Sequence, residues 1–229
     1  MKTSVLMIAA VGVVCMASVS QAVATDPSQK ELTGAVQAFL ADHGDLCLAK
    51  YSWPRDVTPA DQQAGSNDAK QLPVLERLGV VRSVAVSTPV QMAAADGAQS
   101  NSPVSLQTVQ AGTTRRYSLT AKGRQYYLRK KHVVLGPHDQ PTEHDADFCV
   151  AHLTLDRVVK WSPPEPVHDH LETMVRYTYH IKSADWMQDP AARAVFPVVD
   201  RIIRGQGSLL MSATVQLQGD KWVPVLPGQ

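Results

Sequence analysis

The sequence has little of what most recognisable activities require. Net charge is almost absent: 22 basic against 21 acidic residues leave +1 at neutral pH, so no global charge draws the chain toward nucleic acid or an anionic membrane. No Gly-x-Ser-x-Gly elbow is present, and no His-Glu-x-x-His motif or internal repeat. Paired carboxylates in an apolar frame are missing as well. Gly205-Gln206-Gly207 is too short for a phosphate loop and follows a helical pattern instead of preceding one. Beyond the first residues no run is long and apolar enough to anchor the chain in a bilayer, which takes about 20 residues. What remains is 44% hydrophobic and 19% charged, a composition that suits a packed core and argues against disorder.

The N-terminus is the most informative stretch. Lys2 supplies a single positive charge, and Val5 to Ala17 is apolar and uncharged. Ala22 and Ala24 place small residues where a signal peptidase cuts, with Thr25 as the first mature residue. Residues 1–24 are therefore expected to be a signal peptide and the protein to be periplasmic or secreted. Cys15 raises a lipoprotein alternative, but Val14 is bulky where a lipobox carries Gly or Ala. About 205 residues would remain, enough for one or two domains.

Only Cys47 and Cys149 remain after such a cleavage. An even pair in an oxidising compartment reads as a disulfide. Closing a loop of about 100 residues stabilises by an estimated ~4.7 kcal/mol in the chain-entropy account. The competing reading is a catalytic thiol, because His152 lies close to Cys149 in sequence.

Periodicity orders the rest. Asp26-Pro27-Ser28-Gln29 reads as a helix start with Asp26 as N-cap, and Leu32, Val36, Phe39, Leu40 and Cys47 continue at helical spacing. Thr58-Pro59-Ala60-Asp61 starts a short helical turn, and Leu72, Leu75 and Leu78 form a second stripe closed by Gly79. Val80 to Val86, 104–110 and 116–119 look strand-like around an Ala/Gly/Ser-rich loop at 93–102, and Thr120 is placed to cap a helix through Lys131. Residues 148–161 read as a strand. Leu171 to Ile181 alternate strictly apolar and polar, the clearest half-buried strand in the chain. Asp189-Pro190 opens a helix that Pro197 should kink and Gly205 should cap. A strand from Leu209 then turns at Gln218-Gly219-Asp220-Lys221 into an edge strand carrying Pro224.

Two stretches carry a family likeness. Leu72-Pro73-Val74-Leu75-Glu76-Arg77-Leu78-Gly79-Val80-Val81 resembles the end of a winged-helix helix and the start of its wing. Arg115-Arg116-Tyr117-Ser118-Leu119-Thr120-Ala121-Lys122-Gly123-Arg124 resembles the same family's Tyr-x-Leu-Thr-x-Lys-Gly-Arg pattern. The likeness spans about 72–131 and implies a winged-helix-like module, a unit that often serves as a protein-docking scaffold. It departs from the family in following an export signal and in lacking an evident recognition helix. The expected class is α+β: N-terminal helices with a winged-helix-like segment, then a β-β-α-β-β antiparallel region. The expected divisions are 1–24, 25–134 (helical and winged-helix-like), a Pro/His/Asp-rich linker at 135–146, and 147–229 (sheet).

Two constellations are candidate sites. Arg115, Arg116, Lys122, Arg124, Arg129, Lys130 and Lys131, interleaved with Tyr117, Tyr126 and Tyr127, suit contact with an anion or an acidic partner. His168-Asp169-His170 puts two imidazoles at strand spacing, and His144, among His138, Asp139, Glu143, Asp145 and Asp147, would have to supply a third metal ligand. Trp53, Trp161, Trp186 and Trp222 are candidates for a groove lining or for core. The expectation is a non-catalytic exported protein binding an envelope protein or anionic envelope component, without cofactor or nucleic acid. Its alternatives are an envelope metal-binding protein or enzyme using the His168/His170 region, and a cytoplasmic winged-helix regulator should the first 24 residues not be a signal. The intact mass of the exported protein is expected to correspond to an unlipidated chain beginning at Thr25; a diacylglycerol adduct on Cys15 would reverse that expectation.

Overall fold

The computed structural model describes residues 26–86, 113–135 and 140–225. The segment expected to be a signal peptide (1–24), the expected loop at 93–102, the expected strand at 104–110, His138 and Asp139 lie outside these residues. The described elements run α1 (Gln29–His43), β1 (Asp45–Cys47), β2 (Arg55–Val57), α2 (Pro59–Ala64), α3 (Asn67–Arg77), β3 (Val81–Val86) and β4 (Thr114–Leu119). There follow α4 (Ala121–Arg124), β5 (Tyr127–Leu128), β6 (His132–Leu135), β7 (Pro141–His144), β8 (Asp147–Trp161), β9 (Glu165–Val167) and β10 (His170–Ser183). The last are α5 (Pro190–Val195), α6 (Pro197–Arg204), β11 (Met211–Gln218) and β12 (Lys221–Pro224). Helices and a large antiparallel sheet together make the class α+β.

The main sheet runs β1-β8-β10-β11-β12, with β5 added to β8 and β9 to β10; a smaller sheet runs β2-β4-β3, and β6 pairs with β7. The alternation read from β10 holds where it matters: Val175, Tyr177 and Tyr179 are buried, while Met174, Arg176 and His180 are exposed. Thr178 departs from it, buried with its hydroxyl donating to Asp156 (2.7 Å), beside two register shifts against β8. Pro224 sits on β12, at one end of the main strand order, where a missing N–H is tolerated.

β8 serves two cores. Its first residues, Phe148 and Val150, join Leu72 and Leu75 of α3, Tyr117 of β4, and Trp186, Met187, Ala192 and Phe196. Its later residues, Leu153 and Val158, join Leu32, Val36 and Leu40 of α1 against Val175, Tyr179, Val215 and Trp222. The first core therefore draws on residues from both sides of 135–146. Trp53 flanks the first core, Trp222 lies in the second and Trp161 is part-exposed, so the four tryptophans do not line one groove.

Several local expectations are corrected. The N-cap of α1 is Ser28, not Asp26: its hydroxyl accepts from the Glu31 N–H, and Glu31 answers by accepting from the Ser28 N–H. Cys47 is on β1, not on the helix, because α1 ends at Gly44. A Cβ there would lie 2.4 Å from the Leu40 carbonyl and 2.5 Å from that of Leu153, so glycine lets the helix end approach β8. The helix expected through Lys131 stops at Arg124. Tyr127 and Leu128 pair instead with Phe148 and Asp147, and Tyr126 lodges between Phe148 and Trp186 at 6.0 and 5.8 Å. Tertiary pairing of a Tyr-Tyr-Leu run overrides a short capped helix. Pro197 divides the last helix in two, standing as the first residue of α6. Within 135–146, expected as a linker, Thr142 and Glu143 pair with Val134 and Val133 as a β-ladder.

The sulfurs of Cys47 and Cys149 are bonded, and the two residues face each other across β1 and β8. Because this bond closes a span of 102 residues, Cys149→Ser is expected to lower unfolding free energy by roughly 2–5 kcal/mol in chemical denaturation. A loss below 1 kcal/mol would show that the other contacts of β1 hold it unaided.

Candidate functional site

The chemically richest region lies where β1, β5 and the end of β10 meet β8. There β10 stops pairing with β8 at Ser183 and Ala151, and β5 starts pairing at Phe148. The interval opens a groove of about 310 Å³, lined among others by Asp45, Tyr126, Cys149, His152, Lys182 and Asp185. Asp45 Oδ1 lies 2.8 Å from His152 Nδ1, and its Oδ2 lies 3.5 Å from Lys130 Nζ. Lys130 also donates to the carbonyl of Asp42, at the end of α1. A carboxylate on Nδ1 orients an imidazole for proton transfer through its other nitrogen. Among the described residues no hydroxyl or thiol is hydrogen-bonded to His152, and the neighbouring Cys149 sulfur is committed to the disulfide. The arrangement thus has the orienting pair of a hydrolytic triad, with no nucleophile hydrogen-bonded to the imidazole among the described residues.

Beside the groove is a buried polar knot. Asp147 accepts from the N–H groups of Ala49 (3.2 Å), Lys50 (2.7 Å) and Phe148 (2.6 Å). The Lys50 ammonium is buried and meets Asp68 at 2.6 Å, and Asp68 also takes Arg55 Nε at 2.7 Å. Burial pushes the Lys50 pKa down, with Asp68 pulling the other way. Burial also acts to raise the Asp68 pKa, but Lys50 and Arg55 together outweigh it and hold the carboxyl below its usual range. The pair is therefore costly seen from Lys50 and favourable seen from Asp68; the second cation accounts for the difference.

The basic residues singled out in the sequence fall in three places. Arg115 and Arg116 are on β4: Arg115 donates to the Ser83 hydroxyl and lies 3.5 Å from Glu76, and Arg116 grips both oxygens of Asp56 at 2.8 and 2.7 Å. Lys122 and Arg124 of α4 donate to the Leu78 and Leu119 carbonyls. Lys131 pairs with Glu143 of the β6–β7 hairpin, while Lys130 holds the groove, and Arg129 follows β5 on the surface. The run is not one open cationic patch, because its members are drawn to different carboxylates and carbonyls.

Among the described residues no three His, Cys, Asp or Glu side chains are placed to hold a metal ion. His144 stacks on Tyr51 with ring centroids 3.6 Å apart. His170 is held between Asp169 (3.1 Å) and Glu172 (2.8 Å), and His168 occupies the turn before β10 with φ of 53°. His-x-His at strand spacing fails here because the first histidine is in the turn.

No family model, curated protein or solved structure matches this chain. Its chemistry rests on its own geometry. Sequence reading passed over Asp45, Lys50 and Asp68, and named Asp147 only among possible metal-site neighbours; the signal for Lys50 is a lone cation within the otherwise uncharged 46–54 stretch.

His170 gives a pH expectation. Hydrogen bonds to Glu172 first, and then to Asp169, raise its pKa above 6.5. A raised folded-state pKa adds stability that is full below the unfolded value and is lost as pH rises through the folded one. In an NMR titration His170 is expected to titrate above 6.5, and Glu172→Gln to bring it back toward that value. An unchanged midpoint in the variant would remove Glu172 as the cause.

Proposed function

We propose that the protein is exported and works outside the cytoplasm as a non-catalytic binding protein for an envelope partner or an anionic envelope component. The observation that carries this reading is the Cys47–Cys149 disulfide, a bond that persists in oxidising compartments and is rare in reducing ones. The open groove beside the Asp45–His152 pair offers a surface for a bound partner. The division expected at 135–146 enters as a loose one, since the first core draws on both sides of it.

Within the reading, the segment at about 72–131, with β2 and α2 ahead of it, is winged-helix-like. Support comes from the order β2, α2, α3, β3, β4 along the chain and the sheet order β2-β4-β3. Gly79 with φ of 72° ends α3, and Thr120 caps α4 by accepting from the Gly123 N–H (3.1 Å). The helix such a module offers to DNA is engaged within the chain: Gln71 of α3 donates to the Val195 carbonyl of α5 (3.2 Å), and Arg77 pairs with Asp189 (3.5 Å). That favours a scaffold over a nucleic-acid reader.

Fractionation of the full-length protein tagged at its C-terminus tests the reading. It is expected in the periplasmic or extracellular fraction, with no free thiol from Cys47 or Cys149 under denaturing, non-reducing conditions. Recovery in the cytoplasm with both thiols free would overturn it.

A further inference from the structure

α6 turns one side to solvent. Val199 is buried in the first core, while Val198, Arg201 and Arg204 are exposed at three-residue spacing, which aligns them along one face. Val198 is 69% exposed, although its neighbour Val199 packs into the core. The chain then turns through Gly205–Ser208, and Leu210 emerges 40% exposed. Arg201, Arg204, Gly205, Ser208 and Leu209 enclose an open hollow of about 440 Å³.

The charge here differs from that of β4 and α4. Two arginines share one carboxylate: Asp200, whose side chain is only 13% exposed, lies 2.8 Å from Arg204 and 3.7 Å from Arg193. Among the described residues Arg201 has no ion-pair partner. The floor is held in place, with the Gly207 N–H donating to the Tyr179 carbonyl (2.9 Å) and the Tyr179 hydroxyl to that of Ile202 (2.6 Å). The surface therefore combines surplus guanidinium charge, outward aliphatic side chains and a backbone already in position.

We infer that the α6 face, with Arg201, Arg204, Val198 and Leu210, is a docking surface for an anionic phospholipid membrane. Guanidinium forks pair with phosphate oxygens bidentately. Exposed aliphatics beside them enter the headgroup–acyl boundary, a gain that water or a purely acidic protein surface does not offer. The inference rests on the export reading and names the envelope component as lipid. It also moves the anion contact from Arg115 and Arg116, which are held by Glu76 and Asp56, to a face where the cations outnumber their partners.

The test is co-sedimentation of the exported protein with vesicles of phosphatidylcholine alone or mixed with phosphatidylglycerol. Binding is expected only with the anionic lipid, and it should weaken as salt rises. At about fivefold per surface charge, Arg201→Ala with Arg204→Ala should weaken it about thirtyfold. Arg201→Lys with Arg204→Lys should keep most of it, Val198→Ser with Leu210→Ser should reduce it, and Arg116→Ala should leave it unchanged. Thermal unfolding of each variant shows whether a loss comes from misfolding, and the lysine pair preserves a folded comparison. Equal binding to neutral vesicles, or full binding by the alanine pair, overturns the inference. So does displacement by millimolar inorganic phosphate, which would mark a phosphate pocket in place of a membrane surface. If the protein is exported and the alanine pair still binds fully, only this surface falls; if it is not exported, the reading beneath it falls as well.

Discussion

The attachment of residues 45–50 to the start of β8 is the constraint on which the rest of the structure depends. Three kinds of interaction make it: the Cys47–Cys149 bond, the strand pairing of Asp45 and Leu46 with His152 and Ala151, and the Asp147 carboxylate gathering N–H groups from Ala49 and Lys50. A buried carboxylate that accepts several N–H bonds is stabilised only while each donor stays in place, so this knot is cooperative. It determines where α1 lies, because β1 leaves the helix at Gly44. It also fixes where Lys50 enters the interior, and so where α3 is tied through Asp68.

From that attachment the two cores follow. β8 is 15 residues long, and its ends face different partners. Near the knot it closes the core shared by α3, β4, Trp186 and α5; farther on it closes the core under α1. The aromatic cluster of Trp53, Tyr126, Phe148 and Trp186 sits beside the knot, with ring centroids between 5.8 and 6.3 Å where they meet. In it the indole N–H groups of Trp53 and Trp186 are buried without an acceptor among the described residues. The surface groove forms at the same place, because the sheet changes partners there from β10 to β5.

Electrostatics explains why a cation-rich sequence segment does not become one cationic surface. Arg116 is drawn to Asp56 on the neighbouring strand, Arg115 to Glu76 on α3, Lys130 to Asp45, and Lys131 to Glu143. Asp56, Glu76 and Asp45 lie far from their partners in sequence and Glu143 is brought back by the β6–β7 hairpin, so composition alone showed a basic run where folding made separate pairs. On α6 the imbalance runs the other way, with Arg193 and Arg204 sharing Asp200 and Arg201 without an ion-pair partner among the described residues. Surface pairs of this kind add little stability, but they decide where positive charge remains available.

What the sequence by itself determined is the part governed by local periodicity and by the shortest list of partners. Strict alternation over Leu171–Ile181 made β10, Leu72 and Leu75 at helical spacing made the buried stripe of α3, and the two cysteines beyond residue 24 left a single pairing between them. Only the tertiary structure decided the rest. Tyr126–Leu128 left a helical pattern because β8 offered an edge, Cys47 became a strand residue because Gly44 let α1 close on Leu153, and Lys50 was buried because Asp68 and Asp147 met it. The physical reason is the same in each case. Periodicity reports which face of a segment is apolar, whereas a buried charge, a sheet edge or a close backbone approach depends on groups tens of residues away, whose positions no local pattern contains.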